Sequence, residues 1–411
     1  MLLSYRFSDF KSFGEETIFS MRPGRMPSHL NENAVQLAKG VRALKSAVIA
    51  GENAGGKSNF ISSFDYFQYC INSQKRVRIA PNTINWNWKD DKSARQAFTL
   101  EVFIEPNLVY RYTVALKRMT IECEKLEYRK YYQKDYELIF ETLLEQYQEQ
   151  EVGVDDQIKV FCSYSIRLRE SFAESVRDAV SATLQENAYK NGLLLPFVAN
   201  LDSYAQPFLD WTVNRLVVAR SPYSGTNYIS EEIEDEKIVR ILRSSEYFEI
   251  FRMIDETITD IRIDEKKPFA DSVIYRENEE GERFECKIMF ESKGVRQFFG
   301  WAIQIWQVIY ENKIVLADEV DSVINPILAS KIINYINGTD HHGQFIFTTH
   351  NILHLNTACF AKEQMWFIHK DNVTTKSEMY SLADFEEFSY SSNQNVYELY
   401  MKGLLGGTGN G

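Results

Sequence analysis

The segment Gly51-Glu52-Asn53-Ala54-Gly55-Gly56-Lys57-Ser58-Asn59 constrains what this chain can fold into more than any other stretch. It has the form GxxxxGK[ST]. Glycines there let successive backbone N–H groups turn inward around a phosphate, the lysine reaches the β- and γ-phosphates, and the hydroxyl ligates Mg²⁺. Such a loop works between a buried strand and a helix whose N-terminus faces the anion. Both patterns are present: Ala47 to Ala50 is a short apolar run, and apolar and aromatic residues recur at helical spacing from Phe60 to Cys70. The sequence therefore predicts strand, loop and helix within an α/β fold, with Gly51, Gly56, Lys57 and Ser58 holding a nucleoside triphosphate.

Hydrolysis of that triphosphate needs a carboxylate for Mg²⁺ and a group that orients or deprotonates water, both at a strand end beside the loop. Ile314-Val315-Leu316-Ala317-Asp318-Glu319 has that form, with Asp318 toward the metal and Glu319 toward the water. Adjacent carboxylates also end ordinary solvated strands. The apolar lead-in and the phosphate loop in the same chain favour the catalytic reading. Gln344 to Thr349 forms another apolar strand, which places the imidazole of His350 next to the γ-phosphate, whereas His354 and His369 read as surface or capping groups. Ser292 and Gly294 open the apolar helix Val295 to Tyr310, where free N–H donors make a second potential anion site.

Elsewhere the pattern sets domain organisation. Alternation at Leu3, Tyr5 and Phe7, resumed at Thr17 to Met21, predicts a β-rich start, and Arg22 to about Gly40 reads as loop. Phe98 to Ile104 and Val109 to Leu116 read as a hairpin. Residues 120–261 are dense in Glu, Gln, Tyr and Lys without sustained heptads, which predicts a compact helical lid rather than a coiled-coil arm. The expected division is 1–119 and 262–411 as the two parts of the nucleotide domain, with 120–261 as the helical insert. The last stretch, Gly403 to Gly411, holds five glycines and is expected to fray.

With 411 residues and 44% hydrophobic content, the chain can bury a large core. It has no apolar run of about 18 residues able to span a bilayer, so no membrane partner and a cytoplasmic location are expected. The five cysteines are scattered without a CxxC pair and read as reduced core thiols. A net charge of −12 argues against a surface built throughout for phosphate backbones. Nucleic acid stays a conditional partner, through Lys75-Arg76-Val77-Arg78 and the aromatics Trp86 and Trp88. The acidic run Glu231 to Glu236 reads as solvated surface, and the region after His350 is too short for a separate nuclease domain.

The order of these motifs resembles the ATP-binding-cassette ATPases. GxNxxGKSN and the opening FSDFKSFGEETIF are similar to the SMC/RecF/OLD branch. More narrowly, MLLSYRFSDFKSF, ADEVDSVINPIL, FIFTTHN, KEQMWFIHKD and YSLADF resemble the stand-alone prokaryotic AAA-family ATPases found in anti-phage defence. The resemblance implies an ABC-type P-loop head, a mixed sheet flanked by helices, with the inserted helical lid and with ATP and Mg²⁺ as cofactors. It adds Asn53, Gly55 and Asn59 to the ATP contacts. It makes Ser58 and Asp318 the Mg²⁺ residues, Glu319 the base, His350 the γ-phosphate switch and Asp321 part of an inter-subunit loop. It further implies a head-to-tail homodimer with ATP between the loop of one subunit and the Ser292 to Gly294 cap of the other, and a neighbouring-gene effector such as a nuclease. Three departures stand out: the cap reads SKGVRQ rather than SGGQ, Asn325 replaces the usual His, and the motif series does not place the family's Q-loop glutamine, for which Gln96 is only a candidate.

Overall fold

The structure is a computed structural model that describes residues 1–85, 94–152, 157–187, 189–219, 236–385, 396–403 and 405. The chain opens with β1 (Leu2–Ser8) and β2 (Thr17–Ser20), a small hairpin β3 (Ala34–Ala38) and β4 (Val41–Leu44), and the fully buried strand β5 (Ser46–Gly51). The phosphate loop and helix α1 (Lys57–Asn72) follow. A meander of β6 (Arg95–Ile104), β7 (Leu108–Lys117), β8 (Thr120–Lys130), β9 (Glu137–Val152) and β10 (Gln157–Leu168) joins β1 and β2 in a seven-stranded sheet ordered β10-β9-β8-β7-β6-β1-β2. Helices α2 (Glu174–Asn187), α3 (Leu195–Ala199) and α4 (Gln206–Arg215) lead to β11 (Leu216–Ala219).

Next come α5 (Glu236–Leu242), α6 (Ser245–Phe251) and a three-stranded sheet of β12 (Ile258–Arg262), β13 (Val273–Glu277) and β14 (Arg283–Lys287), with the short α7 (Pro268–Asp271) between β12 and β13. Then follow α8 (Lys293–Tyr310), β15 (Ile314–Ala317), α9 (Pro326–Gly338), β16 (Gln344–Thr349), β17 (Met365–Lys370), β18 (Ser377–Ser381) and α10 (Val396–Met401). The second large sheet has six strands in the order β11-β15-β16-β5-β17-β18, parallel except for β18.

The two-residue period of the parallel strands separates two cores. Ala47, Ile49, Leu316, Ile346 and Ile368 face α1 and the antiparallel sheet, while Val48, Ala50, Val315, Ala317, Phe345 and Phe347 belong to the core of α8 and α9. Helix α1 is thus packed among both sheets. Tyr5 of β1 stacks on Phe64 with centroids 3.8 Å apart, and Phe60 meets Phe64 edge-on at 5.4 Å. Each such buried ring contributes on the order of 2–3 kcal/mol relative to exposure. Gln344 ties the sheets directly: its Oε1 accepts from Leu2 N at 2.6 Å, and its Nε2 donates to Leu2 O at 3.0 Å and Leu44 O at 2.9 Å.

Two expectations change. The stretch read as loop up to Gly40 contains a 3₁₀ turn at Ser28–Asn33 and β3. More substantially, the helical insert is not helical from its start: Thr120–Lys130, Glu137–Val152 and Gln157–Leu168 are strands continuous with β6 and β7, so the sheet runs through the boundary at 119/120. Helix begins only at Glu174. The Glu, Lys and Arg residues that suggested a solvated helix instead pair mainly across strands, Arg111 of β7 with Glu127 of β8, and Lys125 of β8 and Arg167 of β10 with Glu141 of β9. Cross-strand charge pairs stabilise a sheet face much as i,i+4 pairs stabilise a helix, so composition alone does not separate the two. Trp86, Trp88, residues 231–235 and most of the glycine-rich end lie outside the described residues.

The helical part is tied to the sheet by a buried carboxylate. Glu124 of β8, fully buried, accepts from Tyr112 Oη, Leu194 N and Leu195 N, each at 2.8 Å. Burial pushes its carboxyl up, against the downward pull of these donors. Glu124→Ala orphans all three donors and should cost about 3 kcal/mol or more, whereas Glu124→Gln, which keeps one acceptor oxygen, should cost less. Urea unfolding of the two variants checks the order.

Candidate functional site

The carboxyl ends of β5, β15 and β16 lie side by side, because the parallel register pairs Ala50 with Thr349 and Ala317 with Phe347. This is where open α/β sheets bind ligands. Gly51 ends β5 with no room for a side chain, since an added Cβ would lie 2.3 Å from Ile368 O of β17. Gly56 adopts φ 124° as the N-cap of α1 and offers no capping side chain, so the first-turn amides of α1 stay open to an anion. The Ser58 side chain is exposed at that turn.

Lys57 is buried and its Nζ donates to Gly51 O at 2.6 Å, to Glu52 O at 2.9 Å and to His350 Nδ1 at 2.9 Å. Because the ammonium donates, Nδ1 is the acceptor and the ring proton sits on Nε2, which lies 3.3 Å from Glu319 Oε1. Lys57, His350 and Glu319 thus form a chain from the phosphate loop to the acidic pair. Glu319 holds left-handed backbone angles, φ 50° and ψ 57°, at a cost of about 1–2 kcal/mol.

Two threonines hold that geometry. Thr348 Oγ1 donates to Asp318 Oδ1 at 2.7 Å and accepts from Glu319 N at 2.9 Å. Thr349 Oγ1 bonds Asp321 Oδ1, and His350 N donates to Asp321 Oδ2. His354 Nδ1 lies 3.1 Å from Asp321 and 2.8 Å from Thr349 Oγ1. Burial pushes the Asp321 carboxyl up, but the donors His354, Thr349 and the His350 amide outweigh it and hold the carboxyl below its ordinary range.

A profile for the family described as "AAA domain, putative AbiEii toxin, Type IV TA system" matches residues 46–356, from β5 through the turn after His350. The chain belongs to that AAA-domain family. Among solved structures, it is similar to the SMC head domain from Thermotoga maritima at 16% identity and TM-score 0.42, covering 92% of this chain and 98% of that one. It is similar to the Smc head domain with an extended coiled coil, bound to the C-terminal domain of ScpA derived from Pyrococcus furiosus, at 12% identity and TM-score 0.42, covering 98% of each. A third is the SmcHead bound to the C-winged helix domain of ScpA, at 10% identity and TM-score 0.40, covering 92% of this chain and 97% of that one. No curated protein matches.

Within this AAA-domain chain, several expected residues sit differently from the sequence reading. Asn59 does not point its amide into the loop: Nδ2 donates to Ser12 Oγ at 2.8 Å. Ser377 Oγ, at the start of β18, bonds Gly55 O at 2.6 Å and Ser12 Oγ at 2.7 Å, so Ser12 and Ser377 clamp the loop from outside. Asp321 spends its carboxylate within its own subunit. His354, read as a capping group, is buried against Asp321. Gln96 bonds Thr83 O and Thr83 Oγ1, not the loop. Asn325, in place of His, caps α9 by accepting from Leu328 N at 2.9 Å.

Ser292 does cap α8, accepting from Val295 N at 3.3 Å, and Gly294 lies beside open space. The preceding Glu291 is gripped by Arg276, which also pairs with Asp255. Among the described residues, no hydrogen bond or ion pair joins this cap to the phosphate loop of the same chain. The signals missed in the sequence were the Thr-Thr pair before His350 and Ser12 in the opening turn. Ser377 carried no local signal, because only the folding of β18 against β17 brings it to Gly55.

The open amides, Lys57, the Ser58 hydroxyl and Asp318 fit a Mg²⁺-bound triphosphate, the ligand the family implies. Burial lowers the Lys57 amine to about 8, although Asp321, Glu319, Asp318 and Glu52 pull it up. A triphosphate needs the charged form. ATP affinity should therefore weaken by up to about tenfold per pH unit as pH rises above 8. Lys57→Gln, with no charge to lose, should bind more weakly with a flat profile, as equilibrium nucleotide binding across pH would measure.

Proposed function

We propose that this chain is an ATP-hydrolysing switch that closes head to tail with a second copy around ATP and so controls a partner effector. The observation that supports it most is the Lys57–His350–Glu319 chain at the ends of three adjacent elements. In this reading the loop amides and Lys57 hold the β- and γ-phosphates, and Ser58 and Asp318 hold Mg²⁺, which supplies charge neutralisation on the transferred phosphoryl group. His350 senses the γ-phosphate. Glu319 accepts a proton from the attacking water, with Thr348 fixing the acidic pair and Asp321 fixing the His350 backbone.

Ser292 and Gly294 complete the site from the second copy, which accounts for the lack of a bond between them and the loop of their own chain. The effector reading, a partner such as a nuclease in anti-phage defence, rests on the motif resemblance. The family description, which names a putative toxin of a toxin–antitoxin system, is consistent with a chain that acts through or against a partner.

Glu319→Gln should keep ATP binding and dimerise more persistently, with phosphate release slowed about a hundredfold or more, since only water activation is lost. Turnover at the wild-type rate would remove Glu319 from this role. For the composite site, Lys57→Ala and Ser292→Arg should each be inactive alone. Their mixture should regain turnover, because a mixed dimer has one site free of both lesions. A mixture as inactive as its parts would overturn the head-to-tail arrangement.

A further inference from the structure

Beyond the nucleotide site, the end of α1 remote from Lys57 carries a second concentration of chemistry. Directly after Asn72 come Lys75, Arg76 and Arg78, of which Lys75 and Arg78 are exposed. Folding adds cations from two other parts of the chain. Ile79 N donates to Arg118 O at 2.9 Å and Arg118 N donates to Ala94 O at 3.1 Å, which brings the β7–β8 turn and the start of β6 alongside. Lys117 and Arg95 are directly opposite on the β6–β7 ladder.

Carboxylates answer only part of this charge: Glu122 pairs with Arg95 at 3.2 Å and Glu149 pairs with Arg118. Among the described residues, no carboxylate pairs with Lys75, Arg76, Arg78 or Lys117. In a chain of net charge −12, leaving these cations together and unpaired works against the prevailing balance of the surface.

An exposed aromatic adjoins them. Tyr66 accepts from Ala80 N at 3.3 Å and bonds Arg78 O, and Tyr69, 58% exposed, stacks on Tyr66 with centroids 6.2 Å apart at 22°. Tyr147 lies under Lys117, with Nζ 5.5 Å from its ring centroid. A solvated charge run would need neither the assembly of three separate segments nor an exposed ring beside it.

We propose that this strip binds single-stranded nucleic acid, with Lys75, Arg76, Arg78 and Lys117 on successive backbone phosphates and the free face of Tyr69 against an unpaired base. Cations tracking a backbone beside an aromatic platform are what a sequence-tolerant single-strand site needs, and a duplex, whose bases are already stacked, gains nothing from the ring. The strip and the phosphate loop occupy opposite ends of one helix, α1, but the binding itself needs no nucleotide.

The test is fluorescence anisotropy of the full chain with a labelled thymidine oligonucleotide and, separately, a blunt duplex of the same length, each titrated with salt. The single strand should bind, and the logarithm of its affinity should fall with the logarithm of salt at a slope of about −2 to −3, as about four neutralised phosphates would give. Arg76→Glu combined with Arg78→Glu should lose at least about tenfold in affinity. Tyr69→Ala should lose about fivefold or more at a nearly unchanged salt slope. Thermal unfolding and ATP binding should be unaltered in both, which separates a binding defect from a folding one. No single-strand binding at low salt, affinity unchanged in the charge-reversed variant, or duplex bound as tightly as single strand would overturn the assignment. The result is independent of whether the chain hydrolyses ATP.

Discussion

The placement of α1 is the constraint on which the rest depends. Its N-terminus is the anion-binding end of the phosphate loop, and its body is wedged between two sheets by Phe60, Phe64 and Phe67 against Tyr5, Phe98 and the inner face of the parallel strands. A helix packed this tightly cannot shift without opening the core, so the loop it carries is preorganised. Ser12 from the first strand pair and Ser377 from the last sheet strand then grip the loop itself. Both sheets therefore contribute to a site that is formally a turn between β5 and α1.

The chemical side of the site follows from parallel register. Neighbouring parallel strands end at one edge, which delivers Asp318, Glu319 and His350 beside Gly51 without a long connection having to aim them. Fine positioning is then left to short hydroxyl side chains. Thr348 and Thr349, buried at the end of β16, fasten the Asp318 carboxylate, the Glu319 amide and the Asp321 carboxylate to the turn that carries His350. The left-handed backbone of Glu319 is a strain that this lattice of bonds holds in place.

The polar middle of the chain shows where pattern reading fails. Residues 120–168 were legible as polar and rich in charge, but a half-exposed antiparallel strand and a solvated helix share that composition. What separates them is which residues meet. Glu127 meets Arg111, and Glu141 meets Lys125 and Arg167, on neighbouring strands rather than one turn away on a helix. The basic segment after α1 is a parallel case: its residues were visible as a run, while Arg95, Lys117 and Tyr69 joined it only through the β6–β7 ladder and the Tyr66 hydrogen bonds.

By itself the sequence determined the phosphate loop with its flanking strand and helix, the acidic pair at a strand end, His350 just after the next apolar strand and the helix cap at Ser292. Each is encoded within a few consecutive residues, because local turn chemistry and hydrophobic period need no distant partner. Only the tertiary structure decided that Asn59 donates to Ser12, that Asp321 and His354 brace His350 from within, and that Ser377 closes on Gly55. Those assignments depend on contacts between separate elements, from 28 residues apart for Thr349 and Asp321 to 322 for Ser377 and Gly55, set by sheet order and register, and strand order is not written in the local pattern of any single strand.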